Sequence, residues 1–157
     1  MIHAGQKAPP FSASTQDGTP LRLSNYSGRL VVLYFYPKDN TPGCTKEACG
    51  FRDSWKELQK TGAILLGVSP DSAASHETFA VKYHLPFPLL ADPDKSICEA
   101  YGVWGEKKFM GRTYMGVHRT TFLIDPRQKI ARVWKKVKPE IHAHEVIEAL
   151  KEASLAR

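Results

Sequence analysis

Along the 157 residues, unbroken apolar runs alternate with segments whose apolar positions recur every three or four residues. Residues 29–37, "RLVVLYFYP", and 63–70, "AILLGVSP", are continuous and rich in β-branched and aromatic side chains, the pattern of strands buried on both faces. Between them Ala48, Phe51, Trp55 and Leu58 make one apolar stripe and predict a helix over 42–61. "SAASHETFAVKYH" predicts a second helix with Ser72 as its N-cap. "FPLLADPD" reads as a short strand and turn, and "KSICEAYGV" as a short helix ending near Gly102. "VHRTTFLIDPRQKIARVW" predicts two strands joined at the "DPRQ" turn. "PEIHAHEVIEALKEA" closes the chain as an amphipathic helix, apolar at Ile141, Val146, Ile147 and Leu150. Near the start, the turn "QDGTP" between short half-apolar runs predicts a β-hairpin. The alternation implies an α/β layered fold with a central sheet, and with no repeats or linker-like stretches it reads as one domain over 1–157.

Composition narrows the picture. At 42% hydrophobic residues the chain has an ordinary core. No apolar segment approaches the ~18 residues needed to span a bilayer. The opening "MIHAGQKAPPF" lacks the apolar stretch of a secretory signal, so the expectation is a soluble, cytoplasmic protein with no membrane partner. The net charge of +6 raises nucleic acid as a partner. Its basic residues are scattered, however, with only "WKKVK" (134–138) clustered and no nucleic-acid-binding motif beside it. A solvated basic surface and no nucleic-acid partner are expected; an acidic protein partner would suit that surface.

The chemistry concentrates in "PKDNTPGCTKEAC", which follows the first buried strand and carries two of the three cysteines. The end of such a strand, at a helix start, is where α/β sheets usually hold ligands. Thr41 followed by Pro42 predicts a hydroxyl N-cap with proline at the first helical position. Cys44 is then the third helical residue, where unpaired N–H groups and the helix dipole favour an anion. A thiol there ionises more readily, and the thiolate is the nucleophile.

Cys44 projects onto the apolar stripe, towards a pocket at the sheet's edge, whereas Cys49 lies roughly 140° round the helix and faces outward. Their Cα atoms would stand about 8–9 Å apart, beyond the roughly 7 Å that a disulfide allows. They can join only if the first turns unwind, and Gly50 makes that segment cheap to open. Zinc is disfavoured by the CxxxxC spacing and the lack of a second ligand pair, since His142 and His144 diverge on a helix. A CxxC-type thiol–disulfide oxidoreductase fits the fold pattern but not the spacing. For Cys98 the reading is an inert buried thiol.

"PKDNTPGC" resembles the peroxiredoxin active-site pattern of proline, three residues, threonine, two residues and cysteine. The cysteine five positions later is similar to the Q-type, bacterioferritin-comigratory branch. The likeness extends through "APPFSASTQDG", "YGVWGEKKFMGRTYMGVHRTTFLID" and the last helix. It implies a thioredoxin-like fold and a thiol peroxidase needing no metal or organic cofactor. It implies Cys44 as the peroxidatic nucleophile, passing through a sulfenic acid, and Thr41 as hydrogen-bond partner to thiolate or peroxide. Pro37 would wall the pocket, and Arg119 would hold the thiolate ionised. Arg119 also stands out without the resemblance, as a charge sharing a predicted strand face with Val117, Thr121 and Leu123. Cys49 would be the resolving cysteine, with Cys98 as a second candidate, and thioredoxin or a similar dithiol the reductant. The implied substrates are hydrogen peroxide and organic hydroperoxides, and the implied state a monomer. A thiol–disulfide exchange protein or redox sensor is the competing reading.

Overall fold

The computed structural model describes residues 2–155. At its centre is a five-stranded sheet in the order β5-β4-β3-β8-β9, formed by Leu89–Ala91, Ile64–Ser69, Val31–Phe35, Thr120–Ile124 and Ile130–Trp134. β3 pairs in parallel with β4 and β4 with β5, whereas β8 runs antiparallel to both β3 and β9. β3 is buried at every position, as its unbroken apolar run requires. Its side chains divide by parity. Val32 and Tyr34 enter one core cluster with Phe51, Leu58, Phe79, Val146 and Leu150, while Val31, Leu33 and Phe35 enter another with Ile97, Tyr101, Val103 and Phe122. Each large side chain so buried contributes about 1.5–3 kcal/mol.

The predicted N-terminal hairpin is present as β1 (Ser12–Ser14) and β2 (Pro20–Arg22). α3 (Ala73–Tyr83) is capped by Ser72, whose side chain accepts from the Ser75 N–H. α4 (Ser96–Ala100) is the expected short helix. Lys135, Lys136 and Lys138 are exposed, in keeping with a solvated surface.

Several expectations change. The helix over 42–61 is two helices, α1 (Pro42–Asp53) and α2 (Trp55–Lys60), parted at Ser54, whose ψ of 13° departs from helical geometry. Asp53 and Ser54 are weak helix formers that hydrogen-bond locally, and the chain bends there. α5 (His142–Leu155) starts after Ile141, which is exposed; His142 and Ala143 take the inward positions instead. An antiparallel hairpin, β6 (Trp104–Phe109) and β7 (Arg112–Val117), occupies a stretch for which the hydrophobic pattern predicted nothing. Arg119 is consequently not in a strand. It lies in the two-residue link by which the chain crosses from β7 into β8, and Val117 packs in the opposite core cluster from Leu123.

Candidate active site

α1 begins where the sequence places it. Thr41 is the N-cap in extended geometry, Pro42 is the first helical residue, and the Thr45 N–H donates to Thr41 O at 2.8 Å. The cap is made by the backbone alone. The Thr41 hydroxyl donates back to Lys38 O at 2.9 Å, which leaves its oxygen free to act only as an acceptor. Pro37 is half-buried two residues after β3 ends. The loop between them is pinned to α3: Asp39 accepts from the Tyr36 and Ser75 hydroxyls at 2.6 and 2.8 Å. Asp39 also lies 2.7 Å from His76 Nδ1, while His76 Nε2 is 2.9 Å from Leu90 O.

Cys44 is 1% exposed on the inward face of α1. Arg119 reaches it across the site: Nη2 donates to Cys44 Sγ at 3.3 Å, and Nη1 donates to Glu47 Oε1 at 2.7 Å. Gly43 makes that approach possible, because a Cβ there would stand 3.1 Å from Arg119 Nη2. Glu47 has no exposed side-chain surface, and its second oxygen, Oε2, has no hydrogen-bond partner. Burial pushes the Glu47 carboxyl up to about 7 against the opposing pull of Arg119. Burial alone would lower Arg119, but the acidic groups of Glu47 and Cys44 outweigh it and hold the guanidinium above its usual range.

Cys49 lies on the same intact helix, half-buried, and burial raises its thiol despite Arg52 nearby. All three cysteines are free. Cys98 is fully buried in the other core cluster, across the sheet from Cys44, and burial drives its thiol well above the usual range. His142 is buried and His144 exposed, so the two diverge as the helical spacing implied.

The chain's residues 4–133 match the family model described as AhpC/TSA family. The chain belongs to the AhpC/TSA family. A protein described as putative peroxiredoxin bcp from Coxiella burnetii is 53% identical over 146 residues, covering 93% of this chain and 97% of that one. A solved cysteine-to-serine mutant of PrxQ from Xylella fastidiosa superposes with a TM-score of 0.92 at 36% identity, over 98% of both chains. The bacterioferritin comigratory protein of Xanthomonas campestris, studied for alkyl peroxide reduction, gives 0.89 at 39% identity, over 96% of this chain and 99% of that one. The branch is the Q-type one that the cysteine spacing resembled, and the activity is that of a thiol-dependent peroxidase. The thioredoxin-like fold with its central mixed sheet and N-terminal hairpin accords with these neighbours.

In this peroxiredoxin the fold brings Cys44 and Arg119 together from positions 75 residues apart. It adds two groups that the sequence reading passed over. Glu47 carried a signal, an acid three residues from Cys44 on the buried stripe. Lys107 carried none, because it belongs to the unforeseen hairpin. Its ammonium donates to Val117 O at 2.9 Å, and burial and Arg119 lower it while Cys44 raises it. No helix among the described residues is long and apolar enough to cross a membrane.

Proposed function

We propose that Cys44 is the peroxidatic cysteine, Cys49 the resolving one, and a thioredoxin-type dithiol the electron donor. The observation that carries this is the Arg119–Cys44 contact of 3.3 Å at the start of a twelve-residue helix. Both the cation and the helix N-terminus favour the thiolate over the thiol. The thiolate attacks one peroxide oxygen, the S–O bond forms as the O–O bond breaks, and sulfur becomes sulfenic acid while the peroxide becomes alcohol or water. Arg119 stabilises the charge that develops on the leaving oxygen. Thr41, its own hydrogen engaged by Lys38 O, accepts from the peroxide O–H and orients it. Pro37 walls the pocket above the sulfur.

Cys49 then displaces water from the sulfenic acid to form the disulfide. In an intact α1 two residues five apart are too distant, so the first turns unwind in this step. Exchange with the dithiol donor then reduces the disulfide to two thiols, and the donor leaves as its own disulfide. Hydrogen peroxide and organic hydroperoxides are the substrate class. A reducing cytoplasm suits the cycle, and the chain acts as one domain over 1–157, as a monomer. Cys98 takes no part, being buried across the sheet.

The test is one equivalent of peroxide added to reduced protein, followed by disulfide mapping in wild type, Cys44→Ser and Cys49→Ser. A Cys44–Cys49 bond is expected in wild type and a Cys44 sulfenic acid in Cys49→Ser. Oxidation no faster than that of a free thiol would instead indicate exchange chemistry or sensing.

A further inference from the structure

We infer that Cys44 and Glu47 hold one proton between them across Arg119, so that Glu47 takes the proton while Cys44 is a thiolate and gives it up as Cys44 is oxidised. This rests on the assignment of Cys44 as the peroxidatic cysteine. The geometry consists of one cation between two acids. Arg119 offers one amino group to each, Nη2 to Cys44 Sγ at 3.3 Å and Nη1 to Glu47 Oε1 at 2.7 Å.

Neither acid reaches solvent, Cys44 being 1% exposed and the Glu47 side chain 0%. Ionising both would leave a net negative charge in a buried site, which is costly. Ionising neither would leave the half-buried Arg119, its side chain 20% exposed, without an anion. The neutral arrangement has one proton for two acids, and two acids so placed titrate as a pair. Glu47 Oε2 is the free position for that proton, because it is the carboxyl oxygen with no hydrogen-bond partner.

The groups facing the pair support this. From β3, the Tyr34 hydroxyl is buried without a partner and feels both Glu47 and Cys44 as negative, so it adds no positive charge. Asp39, in the loop before α1, acts on Tyr34 in the same sense. From α5, His142 is held neutral by burial and feels Arg119 as unfavourable. Lys107 of β6 is the second cation near Cys44, but burial and Arg119 both weaken it and its ammonium is directed at Val117 O. Arg119 therefore remains the one cation in hydrogen-bond contact with both acids among the described residues. The raised Glu47 carboxyl, at about 7, places its proton within physiological range.

The balance of the first step follows. Cys44–S⁻, Glu47–COOH and ROOH give Cys44–SOH, Glu47–COO⁻ and ROH. Sulfur is oxidised and the O–O bond is reduced. The departing alkoxide's proton is matched by the one Glu47 loses when the thiolate no longer competes for Arg119. Glu47 is a positioning residue in this scheme, acting through Arg119, and it regains its proton when Cys44 returns to the thiolate.

Proton stoichiometry tests the inference. In a Cys49→Ser background, which stops oxidation at the sulfenic acid, peroxide is mixed with protein in weak buffer below pH 7 with a pH indicator. Glu47→Gln should take up about one more proton per peroxide than its Glu47 parent, since solvent must then supply what the carboxyl supplied. Equal uptake in the two proteins would overturn the inference. Should Glu47→Gln fail to fold, infrared difference spectroscopy on the parent reads the same event. The protonated-carboxyl C=O band should disappear on oxidation, and its persistence or absence throughout would overturn the proposal. Slow peroxide consumption by the parent would point instead to a failure of the Cys44 assignment, so the two outcomes are separable.

Discussion

Arg119 sits in a two-residue link between a hairpin and the central sheet, and its planar guanidinium serves two acids at once through separate amino groups. Lysine could not reproduce that fork. Arg119→Met should raise the Cys44 thiol and slow peroxide reduction by about 10²–10³-fold, as the loss of a preorganised donor does at other sites. Titration of thiolate absorbance and stopped-flow oxidation measure the two effects; an unchanged titration would remove Arg119 from the site. At the same scale Glu47→Gln should lower the Cys44 thiol, because it removes the competing anion while keeping an oxygen to accept from Nη1. A residue that merely props up Arg119 would have the opposite effect.

At the scale of elements, the proposed cycle needs α1 to be stable enough to activate Cys44 and weak enough to open for Cys49. Gly50 serves the second need by lowering helix stability. A Cβ there would lie 3.6 Å from the Ala143 Cβ. That distance is ordinary van der Waals contact, so alanine fits. Gly50→Ala should stabilise α1 by about 1 kcal/mol and slow disulfide formation roughly fivefold, leaving Cys44 oxidation unchanged. Peroxide consumption and disulfide formation, followed separately after mixing, resolve these steps, and equal slowing of both would defeat the argument. Upstream of α1 the chain is held far more firmly. Both His76 nitrogens face acceptors, Asp39 and Leu90 O, and these contacts tie the loop carrying Pro37 and Thr41 to α3. In the proposed cycle, unwinding is thereby confined to the helix itself.

For the whole molecule, two buried groups set opposing pH dependences. The folded value of Glu47, about 7, lies above its ordinary 4.5, so its contribution is present below 4.5 and lost as pH rises through 7. His142 is depressed by burial from 6.5 to about 4, so its contribution is present above 6.5 and lost as pH falls through 4. Across the shared window the two slopes cancel. Glu47→Gln should expose the His142 slope, with stability rising by on the order of 3 kcal/mol as pH rises from 4 to 6.5. Denaturant unfolding at a series of pH values measures it, and a flat profile in Glu47→Gln would contradict the depression of His142.

The sequence by itself determined the alternation of buried strands and helices, the N-terminal hairpin, the start of α1 and the distinction between Cys44 and Cys49. These depend on local rules: apolar period, proline at the first helical turn and angle around a helix. The break at Ser54 was also local, but the continuous stripe from Ala48 to Leu58 masked it. What only the tertiary structure decided lies where the local pattern is silent. The β6–β7 hairpin leaves Phe109, Tyr114 and Met115 exposed and turns at Met110 and Gly111, both with positive φ, so neither alternation nor an Asn-Gly turn announced it. The partner of Glu47 was set only when packing brought Arg119, 72 residues away, past Gly43 to meet it. A charge's partner is set by packing between distant elements, and with it the proton that the site holds.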